Sequence, residues 1–246
     1  MYSYQYPHPA VTTDIVIFSI RDDALKVLLI KRAGKPYQGK WALPGGFVRE
    51  DEDLDTGALR ELEEETGVRD VYLEQLYTFG NPQRDPRERV ITVAYYALIA
   101  SDQLSLCAAT DAEAVGWFGL DEMPALAFDH DEIIAMAHDR LSAKLDYSTI
   151  AFQFMAETFT LTELQAVYEI ILGEAIDKRN FRKWVLALEQ IEETGELRRE
   201  GPHRPAMLYR VTHPDPVSYT HLTLPTKVLV CGGRWGADPG GGGGGG

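Results

Sequence analysis

The sequence predicts an α/β fold followed by a winged helix-turn-helix, and two observations carry that expectation. Between residues 14 and 118, β-rich runs are interrupted by a single amphipathic helical pattern at 53–66. Between residues 160 and 211, two helical patterns precede two short strand-like runs, which is the element order of a winged helix. A chain of 246 residues has room for one large or two modest domains. The expected division is 1–146, 147–216 and a tail at 217–246.

Residues 14–20 and 25–31 are β-rich and flank Arg21-Asp22-Asp23-Ala24, which predicts a hairpin. Residues 32–44, RAGKPYQGKWALP, make a loop punctuated by Gly and Pro, with Trp41 and Leu43 expected in the core. Over 53–66, Leu54, Ala58 and Leu62 recur every four residues as one apolar stripe, and Gly67 suits a left-handed helix end. Strands are expected at 71–78 and 90–100. The segment between them, NPQRDPRER, places Arg84, Arg87 and Arg89 in a basic loop of an otherwise acidic domain, and arginine forks match phosphate oxygens. Residues 101–114 are turn-rich and hold Asp102, Asp111 and Glu113. Gly116-Trp117-Phe118 reads as a short strand and 129–145 as a helix.

In the second unit, Thr160 and Glu163 have capping-box spacing, and Leu164, Val167, Tyr168 and Ile171 follow at helical intervals up to Gly173. A second helix is expected over 177–191, with Lys178, Arg179, Arg182 and Lys183 in its first turns and Phe181, Trp184, Val185 and Leu188 on its apolar side. ELRR and MLYRV then flank a wing at 200–206 that carries Arg204. Residues 177–211 hold eight Lys or Arg against six Asp or Glu, a net of +2 inside a chain of −14. That local reversal is the footprint expected of a nucleic-acid contact, double-stranded DNA on the winged-helix reading, while a helical dimerisation or packing domain with balanced charges is the plainer alternative.

The overall acidity argues against a nucleic-acid surface spread across the whole molecule. Two cysteines, Cys107 and Cys231, are too few for a disulfide framework, so a reducing, cytoplasmic setting is expected. No apolar run reaches the length of a membrane span. From residue 217 the chain reads VSYTHLTLPTKVLVCGGRWGADP and then ends in glycine alone, a composition that cannot bury a core and is expected to be a disordered, non-native tail. Its SYTHLTLPTK portion resembles translated sequencing-adapter sequence.

The chemistry concentrates in 46–68, GFVREDEDLDTGALRELEEETGV. Glu61, Glu64 and Glu65 stand at i, i+3 and i+4, so one helix face gathers three like charges that repel unless a shared cation compensates them. Oxygen-only ligands favour a hard ion, Mg²⁺ or Mn²⁺. Glu52 and Arg60 are suited to an ion pair that orients these ligands. A solvated acidic face is the bland reading of the glutamates alone. Against it, Gly46, Glu52, Arg60, Glu61, Leu62, Glu64, Glu65, Gly67 and Val68 fill every defined position of G-x5-E-x7-R-E-U-x-E-E-x-G-U, in which U is a bulky aliphatic residue. In this the chain resembles the Nudix hydrolases. Residues 188–195, LEQIEETG, repeat the later offsets but lack the arginine, upstream glutamate and glycine, having Leu188, Asn180 and Glu174 there.

The resemblance implies an α/β/α sandwich over about 10–145, a Gly45 carbonyl among the metal ligands, and a loop carboxylate as an added base, for which Asp102, Asp111 and Glu113 are candidates. Pro82 with RDPR resembles ADP-ribose-directed members, and the segment from FTLTELQ to MLYRV resembles the DNA-binding domain of Nudix-related regulators of NAD metabolism. Two functions follow. One is a Mg-dependent hydrolase of ADP-ribose or a related nucleoside diphosphate derivative, with a DNA-binding second domain. The other is a nucleotide-sensing repressor with little or no hydrolysis. Homodimerisation is expected from the two-fold habit of such DNA binders.

Overall fold

The computed structural model describes residues 5–69, 71–100, 112–199, 205–213 and 216–218. Two of the candidate bases, Asp102 and Asp111, lie outside the described residues, as do Arg204, both cysteines and the tail from 219 onward.

The central strand is β1 (Ala10–Arg21), whose long apolar run is buried along nearly all its length because both faces of the sheet are covered. It pairs antiparallel with β2 (Ala24–Arg32) through the expected hairpin. β3 (Trp41–Ala42) lies against β2, and β4 (Gly45–Phe47) lies against β1. α1 (Leu54–Thr66) follows, then β5 (Tyr72–Phe79), β6 (Val90–Ile99) and β7 (Ala112–Gly119). β6 runs parallel to β1, so the main sheet order is β3-β2-β1-β6-β5, with β4 beside β1 and β7 beside β2. Side chains alternate across it. Ile15 and Ile17 face the layer of Ala58 and Leu62 on α1, whereas Val16 and Phe18 face α2 (His130–Leu145) on the other side.

α1 forms where its sequence signals place it. The Asp53 carboxylate accepts from the Thr56 N–H at 2.8 Å, and Gly67 closes the helix at φ 74°, donating its N–H to the Glu63 carbonyl. Burying a side chain such as Leu62 stabilises the packing by about 1.5–3 kcal/mol.

The second unit begins with a short 3-10 helix, Ile150–Phe154, and continues into α3 (Leu161–Leu172) and α4 (Lys178–Ala187). The capping box at Thr160 and Glu163 is complete, and Gly173 ends α3 in the left-handed region. The hairpin of β8 (Ile191–Arg198) and β9 (Ala206–Val211) is anchored to the linker by paired backbone hydrogen bonds between Phe159 and Tyr209. Phe181, Trp184 and Val185 of α4 pack with Tyr168 of α3 in a hydrophobic cluster continuous with Leu141 and Leu145 of α2.

Two expectations are corrected. The helix expected over 177–191 stops at Ala187, because Glu189 turns to φ 54° and Ile191 is drawn into β8 opposite Val211. The strand read as ELRR is therefore the end of a longer one, and the imperfect repeat at 188–195 runs across a helix end instead of lying on a helix face. In addition, the first two residues of the stretch read as a tail are held by the fold. Val217 exchanges hydrogen bonds with Thr149, and Ser218 bridges to Ser148.

Candidate active site and nucleic-acid interface

α1 presents its acidic face to β4. Gly45 N–H donates to the Glu65 carboxylate at 2.7 Å, and Gly46 lies so close to Glu61 that a Cβ there would sit 2.2 Å from Glu61 Oε1. Gly45 itself has φ 152° and no room for a side chain, since a Cβ would stand 2.1 Å from the Thr13 carbonyl oxygen. These two glycines let the strand approach the carboxylates.

Arg60 is the hub behind them. Its fork donates to both oxygens of Glu52 at 2.9 and 2.7 Å, its Nη1 donates to Glu61 at 2.6 Å and Glu64 at 3.1 Å, and its Nη2 reaches the Phe47 carbonyl. The Arg60 fork, helped by the Arg49 N–H, holds the Glu52 carboxyl down to about 2. Glu64, half exposed, turns toward Arg49 and Arg60, while Glu61 lies against Gly46 and Glu65 against the Gly45 N–H. Among the described residues, no group of three His, Cys, Asp or Glu side chains is arranged to hold a metal ion as it stands. Arg60 occupies one oxygen each of Glu61 and Glu64.

The donor set nonetheless fits a hard cation. Burial raises the Glu65 carboxyl to about 8, opposed by the Gly45 N–H and reinforced by the charges of Glu61 and Asp14. A buried carboxyl crowded by others in this way is one that a divalent ion would deprotonate and bind.

Behind the site runs a buried network that the sequence did not announce. Arg84 Nη2 donates to Asp14 at 3.0 Å and to Asp129 at 2.7 Å, and its Nε donates to Asp129 at 3.0 Å. His130 Nδ1 accepts from the Leu43 N–H at 2.8 Å, which leaves the proton of the neutral ring on Nε2, 3.6 Å from Asp14. Burial lowers the His130 pKa and keeps the ring neutral. Of the three arginines expected to meet substrate, Arg84 is thus enclosed, with Nε and Nη2 committed to Asp14 and Asp129. Arg87 pairs with Asp85, and Arg89 donates to the Gly80, Asn81 and Val90 carbonyls. Glu113 lies in β7, its side chain outside the described residues.

On the second unit, Lys178, Arg179, Arg182 and Lys183 all stand exposed along α4, opposite its buried Phe181, Trp184 and Val185. Lys178 and Arg182 line a groove of about 860 Å³ that continues across Leu197 and Arg198 of β8 and Met207 of β9.

Residues 10–137 match the NUDIX domain. The chain belongs to the Nudix family. Residues 151–211 of this Nudix chain match the NrtR DNA-binding winged helix domain. The ADPR responsive transcriptional repressor NtrR of Acinetobacter baylyi is 41% identical over 216 residues, which cover 85% of each chain. The ADP-ribose pyrophosphatase of Methanocaldococcus jannaschii is 40% identical over 129 residues, 52% of this chain and 73% of that one. The crystal structure of Shewanella oneidensis NrtR complexed with a 27mer DNA superimposes with a TM-score of 0.74 at 42% identity, covering 82% of this chain and 93% of that one. The Nudix assignment carries with it the general use of divalent cations such as Mg²⁺ by that family.

Proposed function

We propose that this protein is a DNA-binding transcriptional regulator that takes ADP-ribose in its Nudix domain and retains the groups to cleave the ligand's diphosphate to AMP and ribose 5-phosphate. The observation that carries the reading is the coexistence of an unbroken Nudix box, with Glu65 buried against Gly45, and an exposed basic α4 in one continuous chain. Relatives that span both domains include a repressor named for ADPR response and an NrtR bound to DNA.

Mg²⁺ or Mn²⁺ would be held by the Gly45 carbonyl, Glu61, Glu64 and Glu65, and when bound it would neutralise the diphosphate and acidify an attacking water. The chain's own residues do the positioning. Glu52 fixes the Arg60 fork, Arg60 fixes Glu61 and Glu64, and the Gly45 N–H fixes Glu65. Arg87 and Arg89 lie in the loop best placed by chemistry for the phosphates, and Arg84 holds that loop to β1 and α2. Lys178, Arg179, Arg182, Lys183 and Arg204 are assigned to the phosphates of duplex DNA, which the protein is expected to grip as a cytoplasmic homodimer.

A second reading keeps DNA and ADP-ribose binding but removes turnover. It is favoured by one observation: Arg60 already occupies oxygens of Glu61 and Glu64. Assay of AMP release from ADP-ribose with Mg²⁺, beside a DNA mobility shift at several salt concentrations, separates the two. Release of AMP that vanishes in Glu65→Gln supports hydrolysis, whereas DNA binding without AMP release supports the second reading.

A further inference from the structure

Leu43 and Pro44 carry the chain from β3 into β4, and the backbone polar groups around this crossing find partners on three separate elements. The Trp41 carbonyl accepts from the Ala127 N–H at 2.8 Å, and Trp41 bridges to Leu126 in parallel register, so the segment before α2 lies beside β3 like a further strand. That backbone pairing stops where α2 begins. The Leu43 N–H is met by a side chain instead, the Nδ1 of His130 at 2.8 Å. Pro44 has no N–H to place, and its carbonyl accepts from the Ile15 N–H of β1 at 2.9 Å. The Gly45 N–H then donates to the Glu65 carboxylate at 2.7 Å. The peptide joining Pro44 to Gly45 is thus fixed at its oxygen by β1 and at its nitrogen by α1, while His130 fixes the Ala42–Leu43 peptide two steps upstream. Leu43 and His130 are 2% and 3% exposed, so no solvent can replace the ring nitrogen as acceptor. Without it the crossing must shift to satisfy a buried N–H. The other edge of the ring faces Asp14, with Nε2 3.6 Å from Oδ1, and Asp14 is the residue of β1 paired with Gly45. His130 therefore touches both the crossing and the strand position opposite Gly45.

We propose that His130 is a positioning residue for the divalent cation: by accepting from Leu43 it holds Gly45 against Glu65. This rests on the reading of Gly45, Glu61, Glu64 and Glu65 as the cation site. The task needs one lone pair at the Nδ1 position and nothing else from the ring. An asparagine places its amide oxygen there. A glutamine, equally polar but one methylene longer, carries its oxygen past the Leu43 N–H toward Asp14, and a phenylalanine keeps the ring but has no acceptor.

The test is titration of the full chain with Mn²⁺, read by calorimetry and by the paramagnetic resonance of the free ion, in the wild type, His130→Asn, His130→Gln and His130→Phe. Thermal unfolding in chelator reports the fold of each. His130→Gln and His130→Phe should weaken Mn²⁺ by about ten- to a hundredfold, the loss typical when a group that orients a metal ligand is removed, and His130→Asn should bind as the wild type does. A lower Tm with wild-type Mn²⁺ affinity in His130→Gln or His130→Phe makes His130 a structural residue only and overturns the proposal. Equal weakening in His130→Asn overturns it as well, because the lone pair would not be the cause. Should one of the two variants without the acceptor be unfolded, the other decides, and unfolding of both returns His130 to a purely structural role. No Mn²⁺ binding by the wild type overturns the cation-site reading itself.

Discussion

At neutral pH a carboxyl group raised to about 8 keeps its proton unless a cation displaces it, and Glu65 is such a group. Its folded pKa lies above its ordinary value of 4.5, so its contribution to stability is complete below about 4.5 and is lost as pH rises through about 8. In chelator, the wild type should therefore lose Tm relative to Glu65→Gln between pH 5 and pH 8. Added Mg²⁺ should restore the wild type most at pH 8 and leave Glu65→Gln unmoved. Thermal scans across that range check both, and parallel Tm curves would refute the assignment. Arg84 makes the opposite kind of statement. Its guanidinium neutralises Asp14 and Asp129 where neither meets much water, so Arg84→Ala should cost about 3–5 kcal/mol in urea unfolding by leaving both carboxylates buried and unpaired. The three box glutamates, Arg60 and Glu52 could be read from sequence because they share one helix and a loop at fixed spacing. Asp14, Asp129 and His130 could not, since only the pairing of β1 with β4 and the start of α2 bring them to the site.

At the level of elements, the contact between β4 and α1 sets how closely backbone and carboxylates approach. Gly46→Ala would push its Cβ into Glu61, whose side chain can swing aside. The expected outcome is a fold with nearly wild-type Tm and a steep loss of AMP release, because Glu61 leaves the Arg60 fork and the site with it. Hydrolysis at wild-type rate in Gly46→Ala would show that Glu61 need not stand there. α4 is the corresponding element of the second unit. The run DKRNFRKWVLALEQI, with Phe181, Trp184, Val185 and Leu188 on one side, reads as helix as far as residue 191, yet β8 recruits Ile191 into the hairpin, and tertiary pairing overrides local propensity. The basic turns of α4 are unaffected by that shortening, and their exposure follows from the burial of Phe181, Trp184 and Val185 on the other side. Arg182→Ala should weaken duplex binding and lower the slope of log affinity against log salt by about 1, measured by titration at several salt concentrations. An unchanged slope would remove Arg182 from the phosphate contacts.

Across the whole molecule, α2 is the helix that packs against both units. Its N-terminus carries Asp129 and His130, which meet Arg84 and Asp14 behind the Nudix-box strand, and its buried face continues into the hydrophobic cluster that seats α3 and α4. A ligand that rearranges the Arg84–Asp129 contacts therefore acts on a helix packed against the DNA-binding unit, and differential affinity for two packings of that helix would be enough to change DNA affinity. The two-domain order was legible in sequence, because capping box, glycine stop and basic helix follow each other in the chain. The continuity of the core across the domain junction was not, since it is made by contacts distant in sequence. The most direct test is titration of duplex DNA, selected from a random pool, into the wild-type protein with Mg²⁺, in the presence and absence of ADP-ribose. ADP-ribose should lower DNA affinity at least fivefold, the smaller end of typical coupling between sites; the same affinity with and without saturating ADP-ribose would contradict the account.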